Sequence, residues 1–127
     1  NQAFKFPTYI FYNKNNKKKI EILKKLKINF FKIELDKNKN ISLYDTLAKA
    51  KQLGFSRILL ESGLKLTESF LKENLIDDFK LFISKNDLKN NGLASMKKCF
   101  NKFLKNKKKY REKVNLFGDK YFSYNLK

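Results

Sequence analysis

The chain's 127 residues suffice for one hydrophobic core, and its formal charge of +18 sets 30 lysines and arginines against 12 carboxylates. Apolar content of 42%, with 13 phenylalanines, excludes a disordered tail, and no apolar run approaches the ~18 residues of a membrane span. Histidine is absent and Cys99 is the single cysteine, which removes Ser-His-Asp and Cys-His nucleophile systems, the usual zinc sites and any disulfide framework.

After Pro7, the segment Thr8-Tyr9-Ile10-Phe11-Tyr12 is β-branched and aromatic and predicts a strand. Asn13 to Asn16 supply turn and cap chemistry. Ile20, Leu23 and Leu26 then recur at helical spacing among lysines, predicting a surface helix of about ten residues. Phe30 to Leu35 reads as the next strand and Asp36 to Asn40 as a polar loop. Ser42 and Asp45 form a capping pair ahead of Leu43, Leu47, Ala50 and Leu53 on one helix face, with Gly54 at the C-terminal glycine position.

Ile58-Leu59-Leu60 is apolar at consecutive positions, the pattern of a central parallel strand covered on both faces. A short helix follows Gly63, then a strand from Phe79 to Ile83. The order β-α-β-α-β-α-β predicts right-handed crossovers onto a mostly parallel sheet flanked by helices.

Ser84 to Gly92 reads as a polar loop. Leu93, Met96, Phe100, Phe103 and Leu104 form an apolar stripe backed by lysines, which predicts a further helix with Cys99 as a packed thiol. Lys113 to Phe117, a Gly118-Asp119 turn and Tyr121 to Leu126 predict a C-terminal antiparallel hairpin. No repeat or flexible linker intervenes, so residues 1–127 read as a single α/β domain. The N-terminus lacks a signal-peptide pattern, and one cysteine suits a reducing, cytoplasmic setting.

The basic residues are almost all lysine, Arg57 and Arg111 being the exceptions. Lysine, asparagine, isoleucine, phenylalanine and tyrosine share A/T-rich codons, so compositional bias explains the charge without a selected basic face. The clusters Lys17-Lys18-Lys19, Lys24-Lys25, Lys97-Lys98 and Lys107-Lys108-Lys109 therefore read first as solvated faces and second as a phosphate-backbone footprint. Phe30, Phe31, Phe79, Phe82, Phe100 and Phe103 sit at strand or helical spacing and read as core ahead of base-stacking platforms. Asp77-Asp78 reads as a strand entry rather than a metal pair, because neighbours on a strand point to opposite faces; no metal site is expected.

The chemistry concentrates at Arg57-Ile58-Leu59-Leu60-Glu61-Ser62-Gly63. Open α/β sheets put ligands at the carboxyl ends of parallel strands, and glycine before a helix lets an anion meet free N–H groups. Taken singly, Glu61 reads equally well as a strand-end carboxylate held by backbone N–H groups. Gly63 taken singly reads as an ordinary turn glycine.

Together, this segment, the stretch Phe70-Leu71-Lys72-Glu73-Asn74-Leu75-Ile76-Asp77-Asp78 and the closing Leu116-Phe117-Gly118-Asp119-Lys120-Tyr121-Phe122-Ser123-Tyr124 resemble a known family. It is the C-terminal reductase domain of the bifunctional riboflavin-biosynthesis deaminase/reductase. There a buried strand ends in Glu-Gly-Gly, followed by a turn of small residues, a helix and a Gly-Leu-Val-Asp-Glu junction. Here Ser62 stands at the first glycine, Lys65 at a small polar or proline position, and Asn90-Asn91-Gly92 where a glycine-rich continuation is usual.

The resemblance implies a dihydrofolate-reductase-like fold, incomplete at its N-terminus in this chain. It implies NADPH-dependent reduction of a phosphoribosylaminouracil to the ribitylamino compound, as part of a longer enzyme. Glu61 would bind the substrate's ribose region, while Gly63, Leu64, Lys65, Leu66, Thr67, Glu68 and Ser69 would contact NADPH; catalytic residues stay unassigned. A phosphorylated pyrimidine substrate, a homodimer and a deaminase domain ahead of the reductase complete the implication. Two other readings stay open: a basic nucleic-acid-binding module, and an inactive structural or dimerising fragment.

Overall fold

A computed structural model describes residues 6–86, 97–114 and 117–127. Their elements are β1 (Tyr9–Tyr12), α1 (Lys17–Lys25), β2 (Asn29–Lys32), α2 (Leu43–Gln52), α3 (Leu64–Lys72), β3 (Asp78–Ile83), α4 (Lys97–Leu104), β4 (Lys109–Arg111) and β5 (Lys120–Asn125). The chain divides into two compact units, Asn1–Leu59 and Leu60–Lys127.

In the first unit β1 and β2 pair in parallel, with Ile10 opposite Phe30 and Phe11 opposite Phe31, and α1 supplies the crossover. Asn16 caps α1 by accepting the Lys19 N–H, and Ser42 caps α2 by accepting the Asp45 N–H at 3.2 Å. Between β2 and α2, Asp36 Oδ1 accepts the N–H groups of Asn38 and Asn40, which closes the polar loop. Ile33 and Ala50 are the buried apolar residues of this unit among those described.

In the second unit β5 lies between β3 and β4, antiparallel to both. Strand periodicity sends Phe79, Phe122 and Tyr124 to one face, where they pack with Leu71, Leu104 and Leu126 as the core. Phe100 meets Phe79 edge-on at 4.9 Å. Helix α3 joins this core through Leu71, then ends where Asn74 turns to φ 54°; the Leu75 N–H bonds back to Phe70 O and the Asn74 N–H to Leu71 O. That paired closure carries the chain directly into β3.

The fold is α/β, but its sheets correct the expectation of one mostly parallel sheet. Among the described residues parallel pairing is confined to β1 and β2, and the longer ladder is antiparallel. Residues 57–63 form no strand, and Ile58 and Leu59 are 53% and 81% exposed. A run of three apolar residues becomes a central strand only if a neighbouring ladder receives it, and none does among the described residues. The boundary between the two compact units falls inside this run.

The C-terminal hairpin also differs from expectation. The strand paired with β5 is Lys109–Arg111, upstream of the expected Lys113 to Phe117, so the connection is longer than a Gly118-Asp119 turn. Lysine-rich sequence with one tyrosine gives no alternation signal, yet the Lys109 ammonium lies over the Phe122 ring, 3.7 Å from its centroid. Residues 115 and 116 of the expected strand, Leu93 and Met96 of the apolar stripe and Asn90-Asn91-Gly92 lie outside the described residues, as does the side chain of Cys99. Among the described residues no helix is long and apolar enough to cross a membrane.

Candidate functional site

Helix α3 begins without a side-chain cap. Gly63 occupies the cap position at φ −69° and ψ 170°, an extended conformation open to any residue. The first intrahelical bond runs from the Thr67 N–H to Gly63 O at 3.2 Å. The N–H groups of Leu64, Lys65 and Leu66 are thereby left at the open end of the helix, where the backbone dipole favours an anion. A Cβ built on Gly63 meets nothing within 4 Å, so packing does not demand glycine there.

The hydroxyls around this end are engaged locally. Ser62 Oγ lies 3.0 Å from Thr67 Oγ1, and Thr67 Oγ1 also donates to Gly63 O at 3.3 Å. Ser69 Oγ donates to Lys65 O at 3.0 Å, the common back-bond of a helical serine. Ser62 and Thr67 thus tie the turn to the first helical turn. Ser69 stabilises the helix surface and is not aimed outward as a donor.

Of the residues the sequence singles out, Glu61 is exposed three positions before Leu64, the first helical residue. Lys65 and Leu66 are exposed, Leu64 and Thr67 half-buried, and Glu68 pairs with Lys72 at 2.8 Å, one turn along. Leu64 to Ser69 are helical and step ~100° around the axis, so they do not line one surface as an extended loop would. The structure brings together Glu61, Ser62, Gly63, Lys65 and Thr67 at the helix start. It carries Glu68 and Ser69 away along the shaft.

Two shallow concavities open in the first unit, of about 270 and 230 Å³. The larger is apolar, lined by Ile10, Tyr12, Ile20 and Leu23 with Lys14 and Lys19 at its rim, and neither includes Glu61 or α3. Among the described residues no cluster of three or more carboxylate or thiol side chains could hold a metal.

Sequence reasoning missed one surface feature. Phe82, assigned to the core with Phe79, is 62% exposed and stacks on Tyr121 with ring centroids 4.3 Å apart and planes 4° apart. The signal was present: residues three apart in a strand must face opposite ways.

The family model described as the RibD C-terminal domain matches residues 3–84, well over half the chain. The match spans Glu61 and all of α3 and ends before α4, so the likeness at Leu116 to Tyr124 lies beyond it. No curated protein matches the chain.

Proposed function

The chain belongs to the RibD C-terminal domain family, and from that premise we propose that it is part of the NADPH-dependent reductase of riboflavin biosynthesis. The family's general activity is pyrimidine reduction in that pathway. The finer reading, a phosphoribosylaminouracil reduced to its ribitylamino product, adds the substrate and the cofactor. The observation that carries it is the uncapped start of α3 three residues after the exposed Glu61 carboxylate.

The residues at that helix start fit an anionic cofactor in kind. Free N–H groups at Leu64, Lys65 and Leu66, the Lys65 ammonium and the open space over Gly63 suit a phosphate. NADPH, when bound, supplies the hydride. The chain's own residues bind and orient: the Glu61 carboxylate accepts hydrogen bonds from ribose hydroxyls, and the Ser62–Thr67 contact holds the turn to the helix. Glu68 pairs with Lys72 one turn along the helix. A homodimer, a deaminase domain ahead of the reductase and a cytoplasmic setting belong to the same proposal and rest on the family likeness.

Titration of the full gene product with NADPH tests the reading, which predicts saturable binding; no binding would end it. For Glu61→Gln we expect an intact fold and a Michaelis constant for the pyrimidine raised about ten-fold, the usual loss for a hydrogen bond to a charged group. An unchanged constant would remove Glu61 from the site.

A further inference from the structure

The outer face of the antiparallel sheet carries aromatic rings where a folded domain ordinarily presents polar residues. Register sets Phe82 opposite Tyr121 and both Lys80 and Tyr110 opposite Ser123, all on the face away from the core. Tyr110 is 45% exposed. Stacking covers one face of the Phe82 ring with Tyr121, and its exposure of 62% leaves the other face to solvent. Among the described residues β3 is an edge strand of its sheet, so that ring stands at its border.

Charges of both signs border these rings, Lys80 and Lys108 against Glu112 and Asp78, within a chain of net charge +18. Lys80 lies two residues before Phe82 on the same face, 4.0 Å from Glu112, whose carboxylate also accepts the Ser123 hydroxyl at 2.6 Å. Lys108 sits 5.0 Å from the Tyr110 ring, and its hydrogen bond with the Tyr110 side chain pushes its pKa up. Asp78 lies at the far end of β3, and Asp119 is engaged by the Lys85 N–H. Exposed rings on an open sheet, bordered by cations, match how single strands are held: bases stack on the rings and lysines meet phosphates.

We propose that the outer face of the β3–β5–β4 sheet binds single-stranded nucleic acid, with a base stacked on the free face of Phe82 and Lys80 and Lys108 meeting the flanking phosphates. The homodimer proposed above rests on the family likeness and does not call on this face, and for this face a polyanion is the occupant that the chain's charge of +18 favours. The site uses β3, β4 and β5 and not the start of α3, so it stands independently of the reductase reading.

The test is fluorescence anisotropy of the full chain with a labelled dT oligomer of about 12 nucleotides, titrated across salt concentrations. We expect the single strand to bind more tightly than a duplex of equal length. Phe82→Ala should weaken binding roughly 5- to 100-fold, and Phe82→Trp should retain it. Lys80→Gln should lower the slope of log affinity against log salt by about 0.7. Phe82 is exposed, so the alanine variant should melt as the parent does, with NADPH binding unchanged. Equal binding by Phe82→Ala, equal binding of single strand and duplex, or a dimer in sedimentation that Phe82→Ala dissolves would each overturn the proposal.

Discussion

Gly63 and Gly118 both sit in turns of the second unit, but the backbone requires glycine at only one of them. Gly118 has φ +101°, in the left-handed region, and follows Phe117 at φ 52°. A Cβ there would come within 2.8 Å of Lys85 Cδ, while the Lys85 ammonium holds Phe117 O at 2.7 Å. Gly63 has an ordinary extended backbone and open space around it. A glycine explained by conformation carries little information about ligands. One that neither conformation nor packing explains, at the uncapped start of a helix, is the better pointer to chemistry.

Three substitutions press on that contrast. Leu71→Ala should do the most damage, because Leu71 is the buried anchor of α3 in a core shared with Phe79 and Phe122. Truncation should remove about 2–4 kcal/mol, and thermal melting should fall accordingly. If the second unit folds cooperatively, amide exchange at Lys85, beside the Gly118 turn, should speed up as well. A melting temperature close to the parent's would mean that α3 is not anchored by this core.

Gly118→Ala comes next, with a loss of about 1–2 kcal/mol from the left-handed backbone, and Lys85 must also shift its stem. Denaturant unfolding reads it directly, and an unchanged midpoint would contradict the requirement. Gly63→Ala should leave stability within about 0.5 kcal/mol of the parent or raise it slightly by restricting the unfolded chain. A clear destabilisation there would reveal a structural demand on Gly63 and dissolve the contrast.

The sequence was most legible where a local rule decides the outcome. Asn16 and Ser42 cap helices as their chemistry predicts, Gly54 takes φ +93° after α2, and β1, β2 and β3 fall inside or beside their apolar runs. It was least legible where pairing partners decide. Ile58-Leu59-Leu60 looks like a strand by composition, yet strand character needs a neighbour that composition does not name. Lys109–Arg111 pairs with β5 although two of its three residues are basic, because the core-forming Phe122 and Tyr124 hold β5 in place and β4 only borders it. For the site, the helix start at Gly63 was readable. Assigning all of Leu64 to Ser69 to one cofactor surface did not allow for the helix carrying Glu68 and Ser69 away from its start, because successive helical residues step ~100° around the axis.

The central claim is that Gly63 is kept for a ligand and not for the fold, and Gly63→Asp tests it most directly. Aspartate is a good helix cap, so thermal melting should be unchanged or improved by a few tenths of a kcal/mol. On the proposed reading the same carboxylate would occupy the start of α3 and repel a phosphate there, so NADPH affinity should fall at least ten-fold. A variant that melts like the parent yet binds NADPH with the parent's affinity would contradict the account.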